Sequence, residues 1–586
     1  MDIAALDAAS SVAPPEQGAN FPVSPFLFAV PKLKPLLETY RRLPPSVDPA
    51  EFARRALDAL AIRVRPLGEH LELLPASGPL LLTANHPFGA VEGLALAALF
   101  PRIRADFKIL VNHVLCGIPE LRRLFIPVEV FSGKDGCAVN LPGVRAAVRH
   151  IEGGGALAIF PAGVVSHWHA RNHRVTDPQW KQFAGRLARV PGAQVVPLFF
   201  EGRNSLFFQA AGCIHPILRT MLLPREMWRA RGREVRVFVG KPVDAGVLSA
   251  LCDDEARIAY IRACCYALRQ KGAAAAGNRS VPVAAPCSHG ELWDEVETAR
   301  EHILAEEGNF QVFTAQGDTA PHILHEIGRL REETFRAEHE GSGKAADIDR
   351  FDPHYTHLVL WDNDAGIVAG SYRIRVFLPG GTQKAAKKLY TATLFRFKPE
   401  FFERCGICME LGRAFVARKY QRDYAPLMML WKGIARFAVM RGVRTLFGAC
   451  SIGLGYTPAS IFMLRRYLEE HHYAPDLAGF VRGRSSPAPF PGPNEPHVRG
   501  LDYRLLNRAV NGLEAGKNLP VLFRHYLQLG GRVAAFHEDK AFGTQDALMV
   551  VSLATIPKKT MTRYLGRECL LQAQNTPGAA AACFII

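Results

Sequence analysis

The chain has no run of 18 uncharged apolar residues anywhere in its 586, so no bilayer-spanning helix is expected. Nor does a basic segment with an apolar core follow Met1-Asp2-Ile3, and no secretory signal is expected. Acidic residues are in deficit. The 55 Asp and Glu face 71 Lys and Arg, giving a net charge of +16 and a pI near 9.4. Positive charge on this scale favours an anionic partner. The aromatics do not interleave with the basic residues and no nucleic-acid fingerprint is present, so no nucleic acid is expected. The 12 cysteines are scattered, and without an export signal reduced thiols are expected. Cys405-Gly406-Ile407-Cys408 has no second pair nearby and reads as structural. His167, His169 and His173 have no cysteine or acidic cluster beside them, so a polar loop is expected there and no metal.

What is present is globular: 48% hydrophobic and 22% charged residues, in a chain long enough for about three or four domain-sized units. No internal repeat is detectable. Residues 1–20 are rich in Ala, Ser and Pro and read as mobile. Helical patterns occupy 21–70, notably Pro49 to Arg65, with Phe52, Leu57, Leu60 and Ile62 on one side. The stretch Phe21–Phe28 reads as a strap over a core, with an interfacial role as the alternative. From 78 to 245 strands and helices alternate, with candidate strands at 79–84, 107–111, 156–160, 194–200 and 235–239. A helix over 255–271 and a linker over 271–290 follow. A charged helix from Glu291 to Glu307 opens a second α/β region, interrupted by a loop or lid at Arg482–Pro493. The expected division is 1–20, 21–270, 271–290, 291–570 and a tail, 571–586.

The most informative residue is His86. A run Leu80-Leu81-Leu82-Thr83-Ala84 ends in Asn85-His86-Pro87-Phe88-Gly89, and a carboxylate, Glu92, follows six positions after the histidine. An imidazole at a strand exit with an acid nearby is the minimum kit for deprotonating a hydroxyl. Two further strands run into Pro/Gly loops, at Phe160-Pro161-Ala162-Gly163 and at Glu201-Gly202-Arg203. Ligands of open α/β sheets bind beyond the carboxyl ends of strands, so three exits are expected to converge on one crevice.

This ordered set, over roughly residues 75–245, resembles the glycerolipid acyltransferases of the lysophosphatidate-acyltransferase type, and within them a hemolysin-like subgroup. The resemblance implies a glycerolipid-acyltransferase-type αβ domain. In it His86 and Glu92 are catalytic, and Asn85, Phe160, Pro161 and Gly163 contact the acceptor. Two departures stand out. The acid lies one position later than in the common motif, and Ala162 replaces a glutamate, which weighs against a phosphorylated acceptor.

Three clusters mark the second half: Gly328–Arg336 on a helical pattern, Asp347–Asp352 before a strand and hairpin ending in Tyr372-Arg373, and Met409-Glu410-Leu411-Gly412-Arg413 entering a long helix at Pro426–Val439. Their order resembles two GNAT-type families, the acyl-homoserine-lactone synthases and, more closely, the bacterial ornithine N-acyltransferases, over most of 310–560. The resemblance implies a GNAT-like mixed αβ domain that holds a thioester at a splayed strand pair. Glu410 is expected to take the amine's proton through water. Arg331, Arg373 and Arg413 are expected to bind the acceptor's carboxylate as planar forks, with Asp349 and Asp352 ordering them or receiving a cationic end. The stretch Ala417–Ala425 has no glycine with which to cradle a CoA pyrophosphate. Its Arg418, Lys419 and Arg422 suit an acidic acyl carrier protein.

Joined, the halves resemble the bifunctional ornithine lipid synthases. That implies N-acylation of ornithine, or another small amino acid, with a 3-hydroxyacyl group, then O-acylation of the freed hydroxyl. No bound cofactor is expected. Acyl carrier thioesters are the implied donors, at the inner face of an anionic inner membrane. The alternatives are the same chemistry on glycine, lysine or glutamine, a homoserine-lactone-type synthase fused to a phospholipid acyltransferase, and a non-catalytic membrane-binding protein.

Overall fold

The computed structural model describes residues 32–565, apart from 69–70, 73, 129–135, 170–172, 270–280, 338–339, 381–382, 454, 515 and 540–543. The segments 1–20 and 21–28, half of the expected linker and the tail lie outside the described residues. The chain divides into two compact units. One runs to Ala274 and includes Pro491–Gly516; the other comprises Ala275–Phe490 and the chain from Lys517 on.

The first unit has strands β1 (Arg63–Leu67), β2 (Leu80–Ala84), β3 (Lys108–Asn112), β4 (Phe125–Val128), β5 (Ala156–Ile159), β6 (His167–His169), β7 (Arg174–Thr176), β8 (Gln194–Phe200) and β9 (Glu234–Val239). Seven of them form one sheet in the order β1-β9-β8-β2-β5-β3-β4, and β6 pairs with β7 as a separate hairpin. From β8 to β4 every pairing is parallel, while β9 runs antiparallel to β8. Every residue of β2 and β5 is buried, as a parallel sheet covered on both faces demands. Leu198 and Phe200 join the core that includes Phe52 and Leu96. Phe199 points the other way and meets Tyr266 of the helix Asp254–Ala267, ring centroids 5.6 Å apart.

Two expectations need correction here. The helix expected to reach Arg65 ends at Ala59, because Ala61 turns left-handed (φ 49°) and Arg63 then pairs with Glu234. The segment Pro491–Gly516, expected within one continuous C-terminal region, packs in the first unit instead. Its helix Tyr503–Leu513 buries Leu506, Ala509, Val510 and Leu513. Tyr260 donates to the Ala509 carbonyl (3.0 Å), and Arg508 pairs with Asp244 at 2.6 Å.

The second unit has β10 (Ile303–Glu307), β11 (Phe310–Gln316), β12 (Thr356–Asp362), β13 (Ile367–Phe377), β14 (Phe395–Phe397), β15 (Cys408–Val416), β16 (Thr445–Ile452), β17 (Val481–Gly483), β18 (Arg532–Asp539) and β19 (Thr544–Ser552). Eight form a sheet in the order β10-β11-β12-β13-β15-β16-β19-β18. Only β15 and β16 pair in parallel. Their register runs from Cys408↔Thr445 to Glu410↔Phe447 and then stops, which leaves a splayed pair. The charged helix expected to reach Glu307 spans His289–Ala299. A Ser288/Glu291 capping box starts it, and Ile303–Glu307 leaves to pair with β11.

Candidate active sites

In the first unit β8, β2 and β5 are adjacent and parallel, so their exit loops share one edge. His86 follows β2, and Glu92 lies in the first turn of the helix Val91–Leu99. His86 Nδ1 is 3.4 Å from Glu92 Oε1; the imidazole side chain is 15% exposed and the carboxylate fully buried. The same oxygen accepts from the Phe88 and Gly89 amides, while Oε2 has no protein partner. Burial works against the imidazolium, but Glu92, with help from Asp177, outweighs it and raises the His86 pKa above its ordinary value.

The other expected contacts divide by role. Asn85 does not face a substrate: its Oδ1 accepts from the Phe200 amide (2.7 Å) and its Nδ2 donates to the Phe200 carbonyl (2.9 Å). Both ends of this buried amide clamp β2 to β8, which corrects its assignment to the acceptor. Phe160 packs its ring on His86, centroids 4.4 Å apart. Pro161 is buried, and Gly163 takes φ 69° to close the loop with its amide on the Phe160 carbonyl.

Two residues in contact with these loops escaped the sequence reading. Asp177, fully buried, accepts from the His86 amide (3.1 Å), Trp180 Nε1 (2.8 Å) and Ser166 Oγ. The Ser166 amide in turn donates to the His86 carbonyl (2.8 Å). The backbone of the histidine is thus strapped from both sides. Exposed Lys181 donates its amide to the Pro161 carbonyl and lays its side chain beside Gly163. No motif spacing announces either residue; each arrives after the β6–β7 hairpin.

In the second unit three arginines and three aspartates interlock. Arg331 donates Nε to Asp347 (2.7 Å) and two further N–H groups to Asp352 (3.2 and 3.0 Å), and also bonds the Asp347 carbonyl. Arg373 Nη1 reaches Asp349 (2.8 Å) and Asp352 (3.0 Å). Arg413 reaches Asp347 (3.2 Å) and Asp349 (3.5 Å). Burial alone would raise the Asp352 carboxyl, but Arg331 and Arg373 hold it far below the carboxylate range. Arg331 is therefore a structural ion-pair centre, which corrects its assignment to the acceptor. Asp349 and Asp352 order the arginines. Arg373 Nη2 and Arg413 Nε remain without partners, and both guanidiniums lie over Tyr390, at 5.0 and 5.1 Å from its ring centroid. Arg413 sits at φ 50°, a left-handed conformation for a non-glycine, beside the splay.

Glu410 also needs correction. It is 2% exposed, and its carboxylate already accepts from Tyr355 Oη, the Thr391 amide (2.6 Å) and the Tyr390 amide (3.4 Å). Its place is that of a positioning residue for Tyr390 rather than a base. Asp546 on β19 went unnoticed in the sequence. It accepts from Ser451 Oγ (2.6 Å), lies in the field of Arg413 and Tyr390, and is raised in pKa by burial. With His537 and Asp539 it forms the one group of metal-ligand spacing among the described residues, ligand atoms within 4.8 Å. His537 Nδ1 already accepts from the Ser485 amide (3.1 Å). Arg418, Lys419 and Arg422 are exposed on the turn after β15. Cys405 and Cys408 are buried, and burial pushes Cys405 up to about 12.

With this geometry in place, the comparisons agree on class. Residues 32–275 match a family described as "Acyltransferase", and 330–432 match an "Acetyltransferase (GNAT) domain". The chain is 29% identical over 279 residues to a glycine N(alpha)-acyltransferase of Bacteroides thetaiotaomicron, covering 43% of this chain and 79% of that protein. It is 28% identical over 204 residues to a lyso-glycine lipid O-acyltransferase of Phocaeicola vulgatus, covering 33% and 68%. It is 27% identical over 252 residues to an L-ornithine N(alpha)-acyltransferase of Rhodobacter capsulatus, covering 41% and 89%. The chain is an acyltransferase, mixed α/β in fold, with two acyltransferase domains. Among the described residues no helix is long and apolar enough to cross a membrane.

Proposed function

We propose that this chain makes a diacylated aminolipid in two steps, with ornithine as the acceptor amino acid. In the second unit the α-amine attacks the carbonyl of a 3-hydroxyacyl thioester. The C–S bond breaks, an amide forms and the thiol leaves with a proton. In the first unit the 3-hydroxyl of that lyso-lipid attacks a second thioester, forming an ester and a second thiol. The observation that carries the reading is the pair of unengaged guanidinium N–H groups on Arg373 and Arg413, a fork for the amino acid's carboxylate. Asp546, in the field of Arg413, offers a carboxyl group that a cationic acceptor side chain would meet. In the first unit Nδ1 of His86 faces Glu92, so Nε2 is left to take the hydroxyl proton. Ala162, in place of an acid, agrees with an acceptor that has no phosphate.

The glycine relatives support a second reading, in which glycine is the acceptor. Competition between labelled ornithine and glycine for the purified chain, read by mass spectrometry, separates the two; a preference for glycine overturns the ornithine assignment. The two-step order is tested by rescue. Arg413→Ala protein should make neither lipid, and supplied lyso-ornithine lipid should restore the diacylated product. Failure of rescue in folded protein would show that the two sites do not act as separate catalysts.

A further inference from the structure

We propose that the helical hairpin Leu206–Arg229 is a membrane-docking surface that lays its outer face into an anionic lipid leaflet. The helices Leu206–Ile214 and Pro216–Arg229 are joined at His215, whose Nδ1 accepts from the Ile217 amide. Their inner faces close a small core of Phe208, Ala211 and Leu222, packed with Val165, Leu218 and Leu223. Among the described residues nothing covers the outer face in this way. Leu206 is 78% exposed, Phe207 58%, Ile214 80%, Ile217 59% and Met221 37%. Phe207 and Ile214 lie seven apart on the first helix and Ile217 and Met221 four apart on the second, so within each helix the exposed apolar positions share a face. Trp168, 39% exposed, sits against the hairpin through its amide on Gln209 Oε1 (2.9 Å). A half-exposed tryptophan beside an apolar face is the arrangement that an interface between lipid and water favours.

Charge selects the occupant. From Arg203 to Arg236 the sequence has seven arginines and two glutamates, and Glu226 is buried against Ser205 and Arg225. Arg225 lies over the exposed Phe207 ring at 4.8 Å, and an identical patch on a second copy would oppose such arginines across a twofold axis. An anionic leaflet accepts both the apolar faces and the arginines beside them. The hairpin is also rooted on the His86 loop. Leu223 and Val165 side chains crowd Gly89 so closely that a Cβ there would lie 2.6 and 3.0 Å from them, and Asn204 donates to the Phe88 carbonyl (3.2 Å). A surface that enters lipid beside this loop delivers an amphiphile's polar end where the imidazole stands, whichever amino acid that end contains.

The test uses the full chain and sedimentation with phosphatidylglycerol vesicles, with phosphatidylcholine vesicles as reference. Wild type should partition to the anionic vesicles and weaken several-fold as salt rises. The double variant Phe207→Glu/Ile214→Glu should partition about tenfold less or worse, since two buried apolar side chains are lost. It should keep wild-type turnover of a short-chain, monomeric lyso acceptor. If the glutamates disturb folding, as thermal unfolding would show, Phe207→Ser/Ile214→Ser is read in the same assay with a smaller expected loss. Equal partitioning of wild type and folded variant overturns the proposal. So does wild type that ignores anionic vesicles, and so does a wild-type dimer that either variant splits into monomers.

Discussion

In the first unit the candidate site centres on one imidazole and one carboxylate, 3.4 Å apart, beyond the ends of parallel strands. In the second unit six charged side chains interlock, and the sites left for a substrate are N–H groups at the margin of that network. Under the proposed function the difference follows from the nucleophiles. A hydroxyl is a poor nucleophile until a base takes its proton, so its site needs a base of tuned pKa, strapped in place by Asp177 and Ser166. An amine is nucleophilic once neutral, so its site has mainly to orient it. Rigid arginines that grip a carboxylate do so well. On that reading the first unit concentrates its chemistry on one side chain, and the second spreads positioning over many.

The largest expected effect breaks the first half of that comparison. His86→Ala should lower O-acylation by about a thousandfold, as loss of a sole general base does, while N-acylation continues. Cells should accumulate the lyso-aminolipid, measurable by mass spectrometry of lipid extracts. Normal amounts of diacylated lipid would remove His86 from the mechanism.

The next sharpens the second half by separating structure from chemistry within one network. Arg331→Ala takes one partner from each of two buried aspartates and should cost about 3–5 kcal/mol of stability. Arg413, with a side chain 20% exposed, should cost far less when replaced by alanine, yet N-acylation should vanish. Chemical denaturation beside turnover tells them apart; equal stabilities would sink the distinction. The sign with pH follows from Asp352. Its folded pKa is depressed, so its stabilisation is present above the ordinary carboxylate pKa and is lost as pH falls through the depressed value.

Glu92→Gln should have a milder effect, about tenfold in O-acylation. The pH profile is the sharper readout. Glu92 raises the His86 pKa against burial, so wild-type activity should climb through a value above the ordinary histidine pKa as the imidazole loses its proton. Without the carboxylate, burial dominates and that acidic limb should move to lower pH. An unmoved limb would mean that Glu92 does not set the histidine's protonation.

Particular residues show how far the sequence was legible. The candidate strands from 79 to 239 match β2, β3, β5, β8 and β9 to within a residue or so, because buried parallel strands read as unbroken apolar runs. Strand β1 was missed: Arg63-Val64-Arg65-Pro66-Leu67 is an edge strand whose charged residues continue the helical pattern before it. His86 and Glu92 lie beside each other, and Arg373 and Arg413 each keep one N–H group without a partner. Asn85, Arg331 and Glu410 share their motifs but spend their polar groups on backbone and ion pairs. Sequence spacing tells which residues gather; it does not tell which hydrogen bonds are already taken. Asp177 and Asp546 meet their sites through loop and sheet geometry with no local pattern at all.

The smallest expected effect concerns the donor. Arg418, Lys419 and Arg422 lie exposed on a turn that offers no glycine cradle for a pyrophosphate. If they meet an acidic acyl carrier protein, their contribution is long-range and solvent-screened, and a few-fold is the proper scale. Arg418→Glu/Arg422→Glu should raise the KM for a 3-hydroxyacyl carrier thioester by about three- to tenfold at low salt and leave kcat unchanged. Raising the salt to about 0.5 M should erase most of the difference, because the Debye length then falls to a few ångströms. CoA thioesters are anionic too, so the wild-type donors must be compared directly: carrier thioester should turn over much faster than its CoA counterpart. Equal rates with both donors, or a charge-reversed variant with wild-type KM, would move the donor's docking site away from this turn.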